Sequence, residues 1–206
     1  MIVISACFAR ETRWIAARPG VAVVHTAMGA GATRDIERRW PAGRGVDVLI
    51  STGMCGAADP TLCPGDLVLA DRVFHRGEEI VISPELLHRI RHGIPGLRVG
   101  AAASCETIAG SAQKRGAGEA GALTVDMESG PLARWANEHG VDFLVIRAVL
   151  DRVDEQLPFS LDRPIWVDVV RRPIAAFRLA RRSLWAGRAI GRGVDVVVAQ
   201  LQRGGS

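Results

Sequence analysis

The chain has 206 residues, 48% hydrophobic and 23% charged, with a formal net charge of +4. That length suits one domain with a sizeable core, and the composition excludes a disordered chain. Met1-Ile2-Val3-Ile4-Ser5 is apolar with no basic lead, against a signal peptide, and no apolar run approaches the ~18 residues of a membrane span. Lys114 is the sole lysine; every other basic residue is arginine. Residues 163–206 hold nine arginines against Asp168 and Asp195, a net of +7, so the basic character sits in the tail. Charge alone allows nucleic-acid binding. There is no tyrosine, RNP-like aromatic pair or zinc-finger spacing, and nucleic acid is not expected as a partner. Cys7, Cys55, Cys63 and Cys105 show no CxxC spacing, which fits a reducing cytoplasm better than disulfides or a metal site.

Met1 to Cys7 reads as a buried strand, and Val21 to Thr26 as a second after the Pro19-Gly20 turn. Thr33 to Trp40 looks helical. Val46 to Ser51 is a β-branched run entering Thr52-Gly53-Met54-Cys55-Gly56, which reads as a glycine-flanked turn. Pro64-Gly65-Asp66 is another turn, followed by a strand over Leu67 to Ala70. Pro84 to His92 suits a helix and Leu97 to Ala103 a strand. Gly110 to Gly121 looks flexible, with room for a short helix. Leu123-Thr124-Val125 enters Asp126-Met127-Glu128, and a helix continues to about His139. Asp142 to Val149 is the clearest buried strand and ends at Leu150-Asp151. Strands that alternate with helices and stay apolar throughout predict an α/β fold. The expected form is a single-domain, three-layer arrangement with a mixed, mainly parallel central sheet flanked by helices.

Ligand groups in such sheets gather beyond the carboxyl ends of strands. Glu11, Asp126 with Glu128, and Asp151 occupy that kind of position. A carboxylate emerging from the core at Asp151 can act as a general acid. It can equally be a structural acid paired with Arg147 or Arg152. Glu128, opening an amphipathic helix, can also be a plain helix-dipole partner. Gly29-Ala30-Gly31 lacks the GxGxxG pattern, and GxxxxGK[ST], HExxH and GxSxG are absent.

Thr52-Gly53-Met54-Cys55-Gly56 with Pro64-Gly65-Asp66-Leu67-Val68, then Val125-Asp126-Met127-Glu128-Ser129, then Ile146-Arg147-Ala148-Val149-Leu150-Asp151, resembles the purine nucleoside phosphorylase and methylthioadenosine nucleosidase superfamily. The order and spacing match across about residues 1–157. Gly121-Ala122, the run from Asp154 to Pro158 and the arginine-rich tail resemble the hopanoid-associated phosphorylases within it. The resemblance implies cleavage of the N-glycosidic bond of a purine nucleoside through an oxocarbenium-like state. Asp151 would then protonate purine N7, and Glu128 would bind the ribose hydroxyls. Met127 would pack beneath the sugar, Thr52, Gly53 and Met54 would line the sugar and nucleophile side, and Glu11 would activate water.

Three residues depart from that pattern. Ser51 and Met54 stand where hexameric phosphorylases carry phosphate-binding Arg and Ser, and Leu150 stands where nucleosidases commonly have Ser. A Gly-x-Pro-x-x-x-Arg loop is absent too. Arg10, Arg13, Arg34 or Arg72 would have to reach phosphate from another direction, so phosphate and water both stay open as nucleophile. Phosphate is a candidate co-substrate, and no other cofactor is expected. The resemblance implies an adenine nucleoside with a lipid-like 5′ substituent, adenosylhopane above all, cleaved in hopanoid biosynthesis. The alternatives are a methylthioadenosine/S-adenosylhomocysteine-type nucleosidase and a non-catalytic nucleoside-binding protein. It also implies a homo-oligomer.

A catalytic domain is expected over 1–160 and a basic helical tail over 161–206. Pro173 suits a helix start, and Ile174, Phe177, Arg181, Leu184 and Trp185 recur at steps of three and four, with Trp166 and Val170 upstream. Such a tail packs its stripe on the core. Alternatively it lies on an anionic membrane with Trp166, Phe177 and Trp185 inserted, at the inner face of the membrane of a cytoplasmic enzyme.

Overall fold

The computed structural model describes residues 1–157 and 173–203. In chain order these form β1 (Ile2–Ala6), α1 (Ala9–Thr12), β2 (Val21–His25), α2 (Gly31–Arg39), a 3-10 turn, β3 (Val48–Ala57), β4 (Leu67–His75), β5 (Glu78–Val81), α3 (Pro84–Ile90), β6 (Arg98–Ser104), α4 (Ser111–Glu119), β7 (Ala122–Asp126), α5 (Ser129–Glu138), β8 (Asp142–Asp151) and α6 (Pro173–Arg203).

The strands make one mixed sheet in the order β2-β1-β3-β7-β6-β4-β5, with β8 paired to both β3 and β4. Pairings β1–β2, β1–β3, β3–β8, β4–β6 and β6–β7 are parallel; β3–β7, β4–β5 and β4–β8 are antiparallel. Because β8 and β7 both join β3, and β8 and β6 both join β4, the sheet curls into a ring with β1–β2 and β5 as flaps. Val3, Ile4, Leu49, Ile50, Leu144, Val145 and Ile146 are wholly buried, as their unbroken apolar runs require. The α/β architecture with flanking helices is the expected one.

Several boundaries move. Thr52 to Gly56 is not a turn: β3 runs through it to Ala57, because β8 continues the parallel pairing from Val48↔Asp142 to Met54↔Ala148 and beyond. Gly53 stays in register opposite Arg147 with φ +149°. Asp151 is the last residue of β8 rather than a residue beyond it. Pairing slips there by one residue, with Cys55 opposite Val149 and Gly56 opposite Asp151, leaving Leu150 extra. Such bulges re-aim side chains beside functional sites. β4 extends past Ala70 to His75 and turns through Arg76-Gly77, both at positive φ, into β5. Gly110 to Gly121 carries α4.

The tail is helical as expected, but its buried face is different. Ser183, Ala186, Ala189, Ile190, Val194, Val197, Val198 and Leu201 are buried, and α6 lies against β8, β3 and α1. Ile174, Phe177, Leu184 and Trp185, the predicted stripe, are exposed. The buried set repeats at the same helical spacing but on the opposite side of the helix and with smaller residues, so periodicity alone picked the wrong face. Trp166, Val170 and the expected boundary at 160/161 lie outside the described residues.

Candidate active site

The carboxyl end of the ring opens into a cavity of about 180 Å³. Glu11, Thr52, Met54, Met127, Glu128 and Asp151 all line it, brought together from α1, β3, the β7–α5 junction and the end of β8. Gly53 stands behind the wall. A Cβ there would come within 2.9 Å of Arg147 Nη1 and 3.1 Å of Glu11 Oε1, so the absent side chain lets both groups pack close against the β3 backbone.

Glu11 is buried on a four-residue helix and fixed at both oxygens. Oε2 accepts from the Phe8 amide at 2.8 Å, as in half of a capping box, and Oε1 accepts from the Met54 amide at 2.9 Å. Thr52 is turned inward, its hydroxyl donating to the Ile146 carbonyl at 3.0 Å.

Asp126 takes a structural task. Its carboxylate accepts from the amides of Glu128 (3.1 Å) and Ser129 (2.9 Å) and from the Ser129 hydroxyl, capping α5. It also accepts from Arg147 Nε at 2.8 Å, and Arg147 Nη2 donates to Ser51 at 2.9 Å and Ser129 at 3.1 Å. Both charges are about 1% exposed, and each leaves the other uncompensated if removed. Ser51 therefore serves this internal cation.

Glu128 follows from that framework. Its Oε1 accepts from the Gly29 amide at 3.0 Å, and its Oε2 lies 3.8 Å from Arg147 Nη2. Burial pushes its carboxyl above the usual range, and Arg147 and the Gly29 amide only partly offset that.

Asp151 is 4% exposed, and burial raises its carboxyl too. Neither suggested arginine partners it. Arg147 goes to Asp126, and Arg152 approaches Asp154 at 3.9 Å. Its partner is the ammonium of Lys114, reaching in from α4. Sequence reasoning singled out neither Lys114 nor Arg147 as a site residue. Among the described residues no cluster of His, Cys, Asp and Glu is placed to hold a metal ion, and no helix is long and apolar enough to cross a membrane.

The model of the phosphorylase superfamily matches residues 10–177. The chain belongs to this superfamily, and with it to the glycosyl-bond-cleaving enzymes of nucleoside phosphorylase and nucleosidase type. Its fold is similar to that of the 5′-methylthioadenosine/S-adenosylhomocysteine nucleosidase of S. pneumoniae, solved with a transition-state inhibitor. There the TM-score is 0.74 at 18% identity over 97% of this chain and 99% of that one. S-adenosylhomocysteine nucleosidase from Streptococcus pyogenes, in complex with 5-methylthiotubericidin, gives 0.75 at 19% identity over 97% and 96%. A futalosine hydrolase mutant of Helicobacter pylori gives 0.73 at 16% over 97% and 98%.

Proposed function

We propose that the protein hydrolyses the N-glycosidic bond of a purine nucleoside, with adenine as the leaving base. The observation that carries this reading is the convergence of Asp151, Glu128 and Glu11 on one cavity around the buried Arg147 guanidinium. Asp151, whose carboxyl burial pushes up, gives a proton to purine N7, so that the base departs neutral. Glu128 binds the ribose hydroxyls, and its negative charge grows in value as the sugar becomes cationic. Met127 packs under the sugar, and Thr52 and Met54 form the wall beside it. Glu11, held rigidly by two amides, takes the proton of the attacking water.

Charge balance favours water. An incoming phosphate would meet Glu11 as well as Asp126 and Glu128, which already share Arg147 as counter-charge, and a further anion there is repelled. The neighbouring folds of nucleosidases and a futalosine hydrolase support hydrolysis as well. Phosphorolysis is the second reading. It is favoured by Arg10, which lines the cavity with its guanidinium 4.7 Å from the Phe8 ring centre.

Phe8 and Met28 line the cavity yet remain exposed, which supports a large apolar 5′ substituent such as that of adenosylhopane in hopanoid biosynthesis. The exposed face of α6, with Ile174 76% and Phe177 72% exposed beside Trp185, supports delivery of such a substrate from an anionic membrane surface. Adenosine, methylthioadenosine and adenosylhopane are incubated with the protein, with and without phosphate, and the products separated by chromatography. Adenine without phosphate is expected. Strict phosphate dependence would reverse the choice of nucleophile. Tight adenine binding with no turnover of any nucleoside would make the protein a binding module instead.

A further inference from the structure

The only lysine of the chain is among its most buried side chains, 2% exposed. Its ammonium has three partners: the Asp151 carboxylate and the carbonyls of Arg152 (3.1 Å) and Glu155 (2.9 Å). An ammonium has three donors, and all three are placed. The route is built for it. Gly56, opposite Asp151 in the β3–β8 pairing, leaves the space through which the lysine passes. A Cβ at Gly56 would come within 2.8 Å of Lys114 Cε. Beyond the ammonium, the Glu155 carboxylate accepts from the Arg152 amide at 3.0 Å and pairs with Arg182 of α6 at 2.6 and 3.1 Å. One polar chain therefore runs from α6 to the acid.

We propose that Lys114 is a positioning residue for the leaving-base acid, clamping the Asp151 carboxyl and being held in turn, through the Arg152–Glu155 turn, by Arg182 of the C-terminal helix. The inference rests on the hydrolytic reading above. As the C–N bond breaks, its electron pair passes into the purine and N7 takes the Asp151 proton. The carboxylate left behind is stabilised by an ammonium already in contact. Lys114 makes Asp151 a stronger acid at the moment it is needed. It also opposes the burial that otherwise holds the carboxyl up, in company with Arg182 and against Glu155. The Cys55 thiol, also beside Asp151, is pushed far up by burial and stays neutral.

The test is the pH dependence of kcat for Lys114→Met beside the wild type, with the fold checked by circular dichroism. Without the ammonium the acid is weaker and holds its proton to higher pH. The alkaline limb of kcat should therefore move up by about one to three pH units, the usual influence of an opposite charge at contact. Below that limb kcat should fall at least tenfold, with KM within about threefold. If Lys114→Met does not fold, Lys114→Gln, neutral but still a hydrogen-bond donor, carries the same test. Arg182→Gln should move the limb in the same direction by less. A folded neutral variant with an unmoved alkaline limb, or with KM raised and kcat unchanged, overturns the proposal. A wild type that releases no base from any nucleoside overturns the hydrolytic reading instead.

Discussion

Asp151 and Glu128 share burial but need opposite protonation states. Asp151 must keep its proton to give it to the base, and Glu128 must have lost its own to favour the cationic sugar. Both carboxyls are pushed above the usual range. The rate should therefore form a bell, falling on the acid side as Glu128 protonates and on the alkaline side as Asp151 ionises. Asp151→Asn should lower kcat by about 10²–10⁴-fold with little change in KM, the usual span for general acid catalysis. Glu128→Gln should raise KM and lower kcat together, costing about 10–100-fold in kcat/KM for a lost charge-assisted hydrogen bond. Steady-state kinetics on the variants checks both, and normal kinetics in either removes that residue from its role. In the sequence these acids were visible because each ends an apolar run. Lys114 was not visible, because it lies 37 residues from Asp151 in a glycine-rich stretch with no hydrophobic period to announce a helix.

The elements place those groups, and α1 does so under the closest constraint. It is only Ala9–Thr12, carries Glu11, and packs against α6. A Cβ on Gly191 of α6 would approach the Trp14 carbonyl oxygen at 2.7 Å and its carbonyl carbon at 2.8 Å. Backbone atoms have no rotamer to yield, so Gly191→Ala should push the segment after α1 away from α6. We expect a loss of about 1–3 kcal/mol in denaturant unfolding, as for overpacked cores, together with lower kcat as Glu11 shifts. Wild-type stability with wild-type kcat would show that the contact is easily relaxed. Element types were largely legible from the sequence, because strands buried on both faces are continuous apolar runs. Where reading failed, pairing decided. Thr52-Gly53-Met54-Cys55-Gly56 carries turn-forming glycines, yet β8 keeps it in the sheet, and no local signal records a partner some ninety residues away.

At the scale of the molecule, α6 has two unlike halves. From Ala186 onward its apolar residues are buried or half-buried, while Ile174, Phe177, Leu184 and Trp185 face outward, and Arg181 lies over Trp185 at 5.0 Å. Trp14 continues the patch, with Arg188 5.1 Å from its ring. Aromatic rings among arginines suit an anionic lipid surface. Co-sedimentation with vesicles of anionic lipid should pull the protein down, weakly at high salt and not at all with neutral lipid. A Phe177→Asp, Trp185→Asp variant should stay in solution while remaining folded, because both side chains are exposed. Equal binding by that variant would assign the patch another use. A chain lacking α6 should not fold, since Ile190, Val194, Val197 and Val198 would leave the interior with it.

The solitary lysine has a practical corollary. Apart from the chain's amino terminus, the one primary amine of this protein is that of Lys114, 2% exposed and held between β3 and β8. An amine-acylating reagent therefore finds a surface of guanidinium groups, to which it is nearly blind. The slow appearance of one further label, followed by mass spectrometry, becomes a clock for the opening of this one spot. It needs no engineered reporter, and it should run slower when a nucleoside analogue fills the cavity that Lys114 lines. A label that appears as fast as on an exposed lysine would mean that the clamp on Asp151 opens freely in solution.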